Sequence, residues 1–294
     1  MSELYFERVA FIGIGHIGSS LARLMRREKL AGTIVACARR QETLDAVLRL
    51  KLAEKVTDEP AVAVAGADLV VIATPLSTYV EIGKAIAPAL KVGAIVTDVG
   101  SVKELVVRDL RPLLPPGVHL VPGHPVAGTE NSGPESGFAE VFANRWCILT
   151  PVPGGDPAAL DKITRLWQSG SMQVVAMDAA HHDRVLAITS HVPHLIAYTI
   201  VGTATDLEET LKSEVIKFSA SGFRDFTRIA ASDPVMWRDI FLNNREAVLE
   251  VLQRFNEDLT ALQRAIRWGE GDKLEELFTR TRAIRRSIVE AKQA

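Results

Sequence analysis

Cysteine is scarce: the 294-residue sequence has two, Cys37 and Cys147, far apart and each inside an expected strand. A disulfide framework or a cysteine-built zinc site needs more of them at close spacing, so both thiols are read as buried and free, as in a reducing cytoplasm. Basic tracts with interleaved aromatics are also missing and the formal charge is −2, which argues against a nucleic-acid surface. No apolar run approaches the ~20 residues of a membrane span. Residues 1–7 carry Glu3 and Glu7 where a secretory signal has a basic start. What is present, 47% hydrophobic and 24% charged residues, is the composition of an ordinary globular protein. We therefore expect a cytoplasmic chain with a small-molecule substrate, no membrane or nucleic-acid partner, and length for two domains at ~150 residues each.

Short apolar runs alternate with helical patterns through the first half. Strands are expected at 8–12, 33–37, 69–73, 94–97, 118–121, 146–149 and 173–176, and helices at 16–27, 41–50, 78–89, 103–110 and 157–168. The strands are β-branched runs without polar alternation, which means burial on both faces and a mostly parallel, doubly wound sheet. From about Asp178 strand signals stop, and apolar residues recur at helical spacing, as in Leu249, Leu252, Phe255, Leu259 and Leu262. Helices with such broad apolar faces need a partner, so a helical domain building a homodimer is expected at 179–294, after an α/β domain at 1–178. The arginines of the last helix, Arg280, Arg282, Arg285 and Arg286, are read as a solvated face.

Gly13-Ile14-Gly15-His16-Ile17-Gly18 follows the first strand and opens a helix. In that context G-x-G-x-x-G is a dinucleotide fingerprint: Gly13 for the tight turn, Gly15 for close backbone approach to a pyrophosphate, Gly18 for helix–strand packing. The free N–H groups of the helix start then face the phosphates. His16, inside this turn, is read as a spacer toward solvent or cofactor. The second strand ends Val35-Ala36-Cys37-Ala38 and runs into Arg39-Arg40 with no acid. An acid there would hold the ribose hydroxyls of NAD, whereas an arginine suits a 2′-phosphate, so NADP or dual use is favoured over strict NAD. Arg39 stacking on adenine without selecting either is the alternative.

Gly123-His124-Pro125-Val126-Ala127-Gly128-Thr129-Glu130 follows the strand at 118–121. Its glycines and proline lead us to expect a loop at the C-terminal edge of the sheet, where ligands bind such folds. His124 is thereby a candidate for proton transfer near neutral pH. In Asp98-Val99-Gly100-Ser101-Val102-Lys103, Ser101 is read as a helix N-cap that also reaches nicotinamide or His124. In Ser190-His191-Val192-Pro193-His194 the two histidines share a helix face that Pro193 loosens. A metal reading lacks a third ligand, and a substrate contact from His194 is preferred. His181 and His182, before Asp183, are read as a polar helix start. Gly222-Phe223-Arg224-Asp225-Phe226-Thr227-Arg228 offers one arginine for an ion pair with Asp225 and one for a carboxylate held bidentately. Trp237 is read as core.

Taken together, the motifs around His124, Ser101, His194 and Arg228, and their order along nearly the whole chain, resemble the prephenate/arogenate dehydrogenase family, nearest in look to bacterial cyclohexadienyl dehydrogenases of tyrosine biosynthesis. The resemblance implies a Rossmann-type nucleotide-binding domain, an all-α dimerisation domain, and oxidative decarboxylation with hydride transfer to NAD(P). It implies that His124 takes the proton of the substrate's 4-hydroxyl and that Ser101 orients His124. It further implies that Arg228 clamps a carboxylate, that His194 and Thr129 meet the substrate, and that Gly13, Gly15, His16, Ile17, Gly18, Arg39, Thr74 and Ser101 line the cofactor. Two other readings stay open: a hydroxy-acid or imino-acid dehydrogenase on the same scaffold, and a non-catalytic NAD(P)-sensing dimer. The first would use a lysine or a serine/threonine where histidine and arginine stand here.

Overall fold

Strand β1 (Phe6–Ile12) shows why the sheet needs cover on both sides: Val9 and Phe11 enter one buried cluster, Ala10 and Ile12 the other. Successive side chains of a strand point to opposite faces, so a run apolar at both parities is stable only between two layers. With β2 (Ala31–Cys37), β3 (Lys55–Thr57), β4 (Leu69–Ile72), β5 (Ile95–Asp98) and β6 (His119–Val121) it forms a six-stranded sheet in the order β3-β2-β1-β4-β5-β6. Every pair is parallel, and the order is that of the doubly wound dinucleotide fold. Helix α1 (His16–Arg27) covers one face through Leu21, Leu24 and Met25. Further along the chain lie α2 (Gln41–Arg49), α3 (Pro60–Val64), α4 (Tyr79–Ile86) and α5 (Lys103–Leu110). Ala63, Tyr79, Ile86, Val106 and Leu110 of the last three cover the opposite face.

The structure, a computed structural model, describes residues 5–129, 131–206, 214 and 217–290. Neither β3 nor α3 was expected: both are short, and β3 is fixed by pairing with β2 rather than by its own pattern. The larger correction concerns the histidine motif. Gly123–Val126 is not a loop but strand β7, antiparallel to β8 (Trp146–Leu149), with β9 (Gln173–Ala176) parallel beyond it. Pro125 is tolerated because β7 is the edge of this three-stranded sheet, where a missing N–H breaks no inner ladder. Helix α6 (Pro157–Ser169) packs buried Trp167 against the main core.

After β9 the described elements are helical: α7 (Ala179–Leu186), a π-helical turn (Ala187–His191), α8 (Val192–Thr205), α9 (Ser221–Thr227) and α10 (Pro234–Asn243). The π turn lies just before Pro193, whose ring removes an N–H from the ladder. Contrary to the sequence expectation, Ala179–Ala204 is long and apolar enough to span a membrane by length and composition. Within it His182, Asp183 and His191 are buried and bonded to surrounding side chains and backbone, while 28% of its most apolar window is buried. By internal contacts the chain divides into Met1–Arg245 and Glu246–Ala294. The second unit contains α11 (Arg245–Arg267) from its second residue onward and α12 (Gly271–Glu290). Between them Gly269 sits at φ +68° and Arg264 stacks over Trp268 at 4.3 Å. Leu249, Leu259, Ile266, Trp268, Phe278 and Ile284 are all exposed there.

Candidate active site

The glycine turn fits a dinucleotide. At Gly13, with φ +84°, a Cβ would lie 2.6 Å from both the Ala73 carbonyl and Thr74 Cγ2. A Cβ at Gly18 would meet the Gly13 carbonyl at 3.0 Å. These two glycines therefore let helix and strands close up. Around Gly15, in contrast, no heavy atom lies within 4 Å of a built Cβ, so its backbone is approachable. Gly15 caps α1 without a side-chain acceptor, and the first N–H groups of the helix are thus available to an anion. Thr74 sits against this turn and accepts the Thr78 hydroxyl at 2.8 Å. Ile17 is half-buried and His16 is buried beside it. Arg39 is exposed in the bend after β2 and has no ion-pair partner among the described residues. Cys37, just before it, has its thiol pushed up to about 11 by burial and by the Asp58 charge, which keeps it protonated.

His124 is built into a relay. Its Nδ1 lies 2.9 Å from His182 Nε2, and His182 Nδ1 lies 2.7 Å from Asp183 Oδ1. The protons can be assigned along it. Asp183 also accepts the Lys103 and Glu104 backbone N–H groups at 2.8 and 2.9 Å, the donors of a carboxylate-capped helix start. Its carboxylate therefore takes a proton-bearing Nδ1 from His182, whose Nε2 is left as the acceptor for His124 Nδ1–H. His124 Nε2 then carries the free lone pair. Burial, followed by His182, the Lys103 charge and His191, holds His124 well below the ordinary imidazole value, so the ring is neutral at neutral pH. His182 is lowered as well, by burial first.

Behind β7 lies a buried cation. Lys103 Nζ donates to Asp98 Oδ2 at 2.6 Å and to the carbonyl of Gly123, the residue before His124, at 2.7 Å. Neither side chain of the pair is exposed. Asp98 also accepts from the Tyr79 hydroxyl and from the Gly100 and Gly123 N–H groups. With that many charge-assisted bonds the buried pair is compensated, and it pins the backbone on which His124 stands.

Ser101 is half-buried in the bend between β5 and α5. It neither caps α5, whose first N–H groups go to Asp183, nor bonds to His124, whose Nδ1 goes to His182; its hydroxyl has no partner among the described residues. His194 stacks on Trp237 with ring centroids 3.6 Å apart, and its Nδ1 donates to the Ser190 carbonyl at 2.9 Å. His191 meets the edge of the same indole and is bonded through Nδ1 to Asn244, which also holds the Asp183 carbonyl. Burial lowers His194, with a further contribution from the Arg228 charge, so His194 and exposed Arg228 are electrostatic neighbours. Thr129 is exposed and closes a local turn by accepting the Asn131 N–H; Glu130 lies outside the described residues. Among the described residues no ion pair joins Arg224 to Asp225, contrary to expectation. Sequence reasoning missed His182, Asp183, Lys103 and Asn244. The His182-Asp183 pair carried the one readable signal, a carboxylate next to an imidazole near a helix start.

The model of the family described as "Prephenate dehydrogenase, nucleotide-binding domain" matches residues 21–176, beginning just after the glycine turn, and that of "Prephenate dehydrogenase, dimerization domain" matches 178–280. A cyclohexadienyl dehydrogenase of Zymomonas mobilis is 40% identical over 283 residues, 96% of each chain. A prephenate dehydrogenase of Bacillus subtilis is 33% identical over 92% of this chain and 72% of its own length. The crystal structure of prephenate dehydrogenase from Aquifex aeolicus, in complex with hydroxyphenyl propionate and NAD+, superposes with a TM-score of 0.90 at 33% identity, covering 98% of this chain and all of that one. By these matches, over nearly its full length, the chain belongs to the prephenate dehydrogenase family.

Proposed function

We propose that the chain catalyses the oxidative decarboxylation of prephenate, arogenate or both, passing hydride to NAD(P)+. The observation that carries this reading is the His124–His182–Asp183 relay, with a basic nitrogen at its open end. The glycine turn, the first N–H groups of α1, Thr74, Ile17 and Arg39 would hold the dinucleotide, which when bound supplies the hydride acceptor. His124 Nε2 accepts the proton of the substrate's 4-hydroxyl, and C4 is released to give up its hydride as the carbonyl forms. The electron pair of the ring–carboxylate bond flows into the ring as CO2 leaves, and the new phenol oxygen regains a proton. His124 is held well below the ordinary imidazole value, and what the relay contributes is the tautomer: the bond to His182, itself anchored on Asp183, keeps the proton on His124 Nδ1 and presents the Nε2 lone pair to the substrate. Aromatisation supplies the driving force, so alignment is the main task of the protein.

Arg228 would bind a substrate carboxylate, with His194 and Thr129 beside it, and Ser101 would contact nicotinamide or substrate, its free hydroxyl supporting that role over capping. Arg39, exposed and without an acid at the end of β2, supports NADP or dual use over strict NAD. The exposed apolar residues of Glu246–Ala294, and Ala179–Ala204 with only 28% of its most apolar window buried, support a homodimer with a helical domain at 179–294. Initial rates of nicotinamide reduction over a grid of prephenate or arogenate with NAD+ or NADP+ test the reading. Turnover in any combination supports it and names substrate and cofactor; four blanks from folded, nucleotide-binding protein refute it.

A further inference from the structure

His16 was read from the sequence as a spacer in the glycine turn, but the structure gives it a partner 120 residues away: Nδ1 lies 3.0 Å from Ser136 Oγ. Ser136 spends its only proton on the Gly133 carbonyl at 2.9 Å, so His16 Nδ1 is the donor and Nε2 carries the lone pair. That Nε2 is buried and has no partner among the described residues. Phe138 stands edge-on to the same imidazole, with ring centroids 6.0 Å apart. Its N–H donates to Ser20 Oγ at 3.1 Å, and Ser20 in turn donates to the His16 carbonyl at 2.7 Å. At Gly137 a Cβ would strike Ser19 Oγ and Ser20 N, and at Gly128 it would lie 3.8 Å from Ile17. Gly128 and residues 136–138, from the stretch that continues from the His124 strand and carries Thr129, are thus laid directly on the first turn of α1. That is the turn whose free N–H groups the dinucleotide would use.

Resting on the function proposed above, we infer that His16 is a positioning residue that couples dinucleotide binding to the docking of the 127–138 segment over the substrate side. The two sites share one rigid element. A nucleotide that fixes the first turn of α1 fixes the imidazole, and the imidazole fixes Ser136 and Phe138. Burial also keeps the ring neutral, so the single Nδ1 proton stays committed to Ser136. A buried acceptor without a partner is uncommon in native proteins, and Nε2 is placed on the residue that follows the open backbone of Gly15. Sites coupled through a shared element affect each other reciprocally.

Hydrogen exchange of 127–138, with and without NAD+ or NADP+, reads this coupling apart from turnover. In the unaltered chain the nucleotide should slow exchange there by about fivefold or more, the lower end of ordinary site-to-site coupling. His16→Leu and Ser136→Ala should each abolish that slowing and raise the substrate KM. The double variant should be no worse than either single one, because both cut the same bond. His16→Asn, which places an amide N–H near the position of Nδ1, should restore the slowing. For Ser136→Ala the nucleotide Kd in the absence of substrate should stay within about twofold of the parent. Retained slowing in His16→Leu, or additive effects in the double variant, would overturn the inference while leaving the proposed function intact. Absence of nucleotide binding by the unaltered chain would overturn both.

Discussion

Replacing His182 separates the two ends of the relay. Its Nε2 receives the His124 Nδ1 proton at 2.9 Å, and its own Nδ1 proton goes to Asp183 at 2.7 Å. In His182→Leu both contacts vanish. His124, 7% exposed, is left with a buried N–H lacking an acceptor, a deficit of about 1–3 kcal/mol. That is enough to let the ring flip or change tautomer, which takes the lone pair off Nε2, and kcat should fall by about 5- to 150-fold. In His182→Gln the side-chain carbonyl reaches the place of Nε2 and accepts from His124, so most of kcat should return. In His182→Asn the amide sits nearer the place of Nδ1 and serves Asp183 alone, so stability recovers while kcat stays low. The assay is nicotinamide reduction at saturating substrate, with the thermal midpoint of each variant measured alongside. A His182→Leu enzyme that is folded and turns over within twofold of the parent would refute the relay, as would Gln and Asn variants of equal kcat.

Lys103→Met should cost about 3 kcal/mol, read as a lower urea midpoint, because it strands the buried Asp98 charge; a loss below about 1 kcal/mol would mean the pair is poorly compensated as it stands. Ala38→Asp should move the ratio of kcat/KM values about tenfold toward NAD+, by offering an acceptor to ribose hydroxyls and repelling a 2′-phosphate; indifference would remove Arg39 from cofactor choice. Arg228→Ala should raise the substrate KM by about ten- to a hundredfold with nucleotide affinity unchanged; an unchanged KM would shift the clamp to Arg224. Acid should destabilise the fold: burial lowers His191 to about 4 from an ordinary 6.5. On acidification the unfolded chain binds its proton first, so stability is full above about pH 6.5 and drains away as pH falls toward 4. Between about pH 7 and pH 5 this residue alone should remove about 2 kcal/mol, with His124, His182 and His194 acting in the same direction; a flat urea midpoint over that range would contradict their burial as neutral rings.

The dinucleotide half was legible because its signals are local. Gly13, Gly15 and Gly18 sit between a strand and a helix, and the apolar runs that became β1, β2, β4, β5 and β6 declare their burial without reference to anything distant. The β7 strand was hidden because Gly123 and Pro125 look like loop chemistry, whereas its pairing partner is Trp146–Leu149. The relay was hidden for a similar reason: His124 and His182 are 58 residues apart, and only the fold brings them to hydrogen-bond distance. Lys103 stood inside a motif that drew attention to Ser101, yet lysine is so seldom fully buried that no pattern in the chain marks it as core. Asp183 displaced Ser101 as the cap of α5 by reaching in from another helix, a tertiary substitution that N-cap preferences cannot foresee.

In the function proposed above, His124 Nε2 is the base that releases hydride from C4. The direct measurement is turnover of His124→Asn beside the parent chain, with nucleotide affinity determined by calorimetry on both. Parent turnover, together with a variant that binds nucleotide equally well and reduces none of it, is the predicted result. A variant that still turns over at a rate near the parent's would place the base elsewhere.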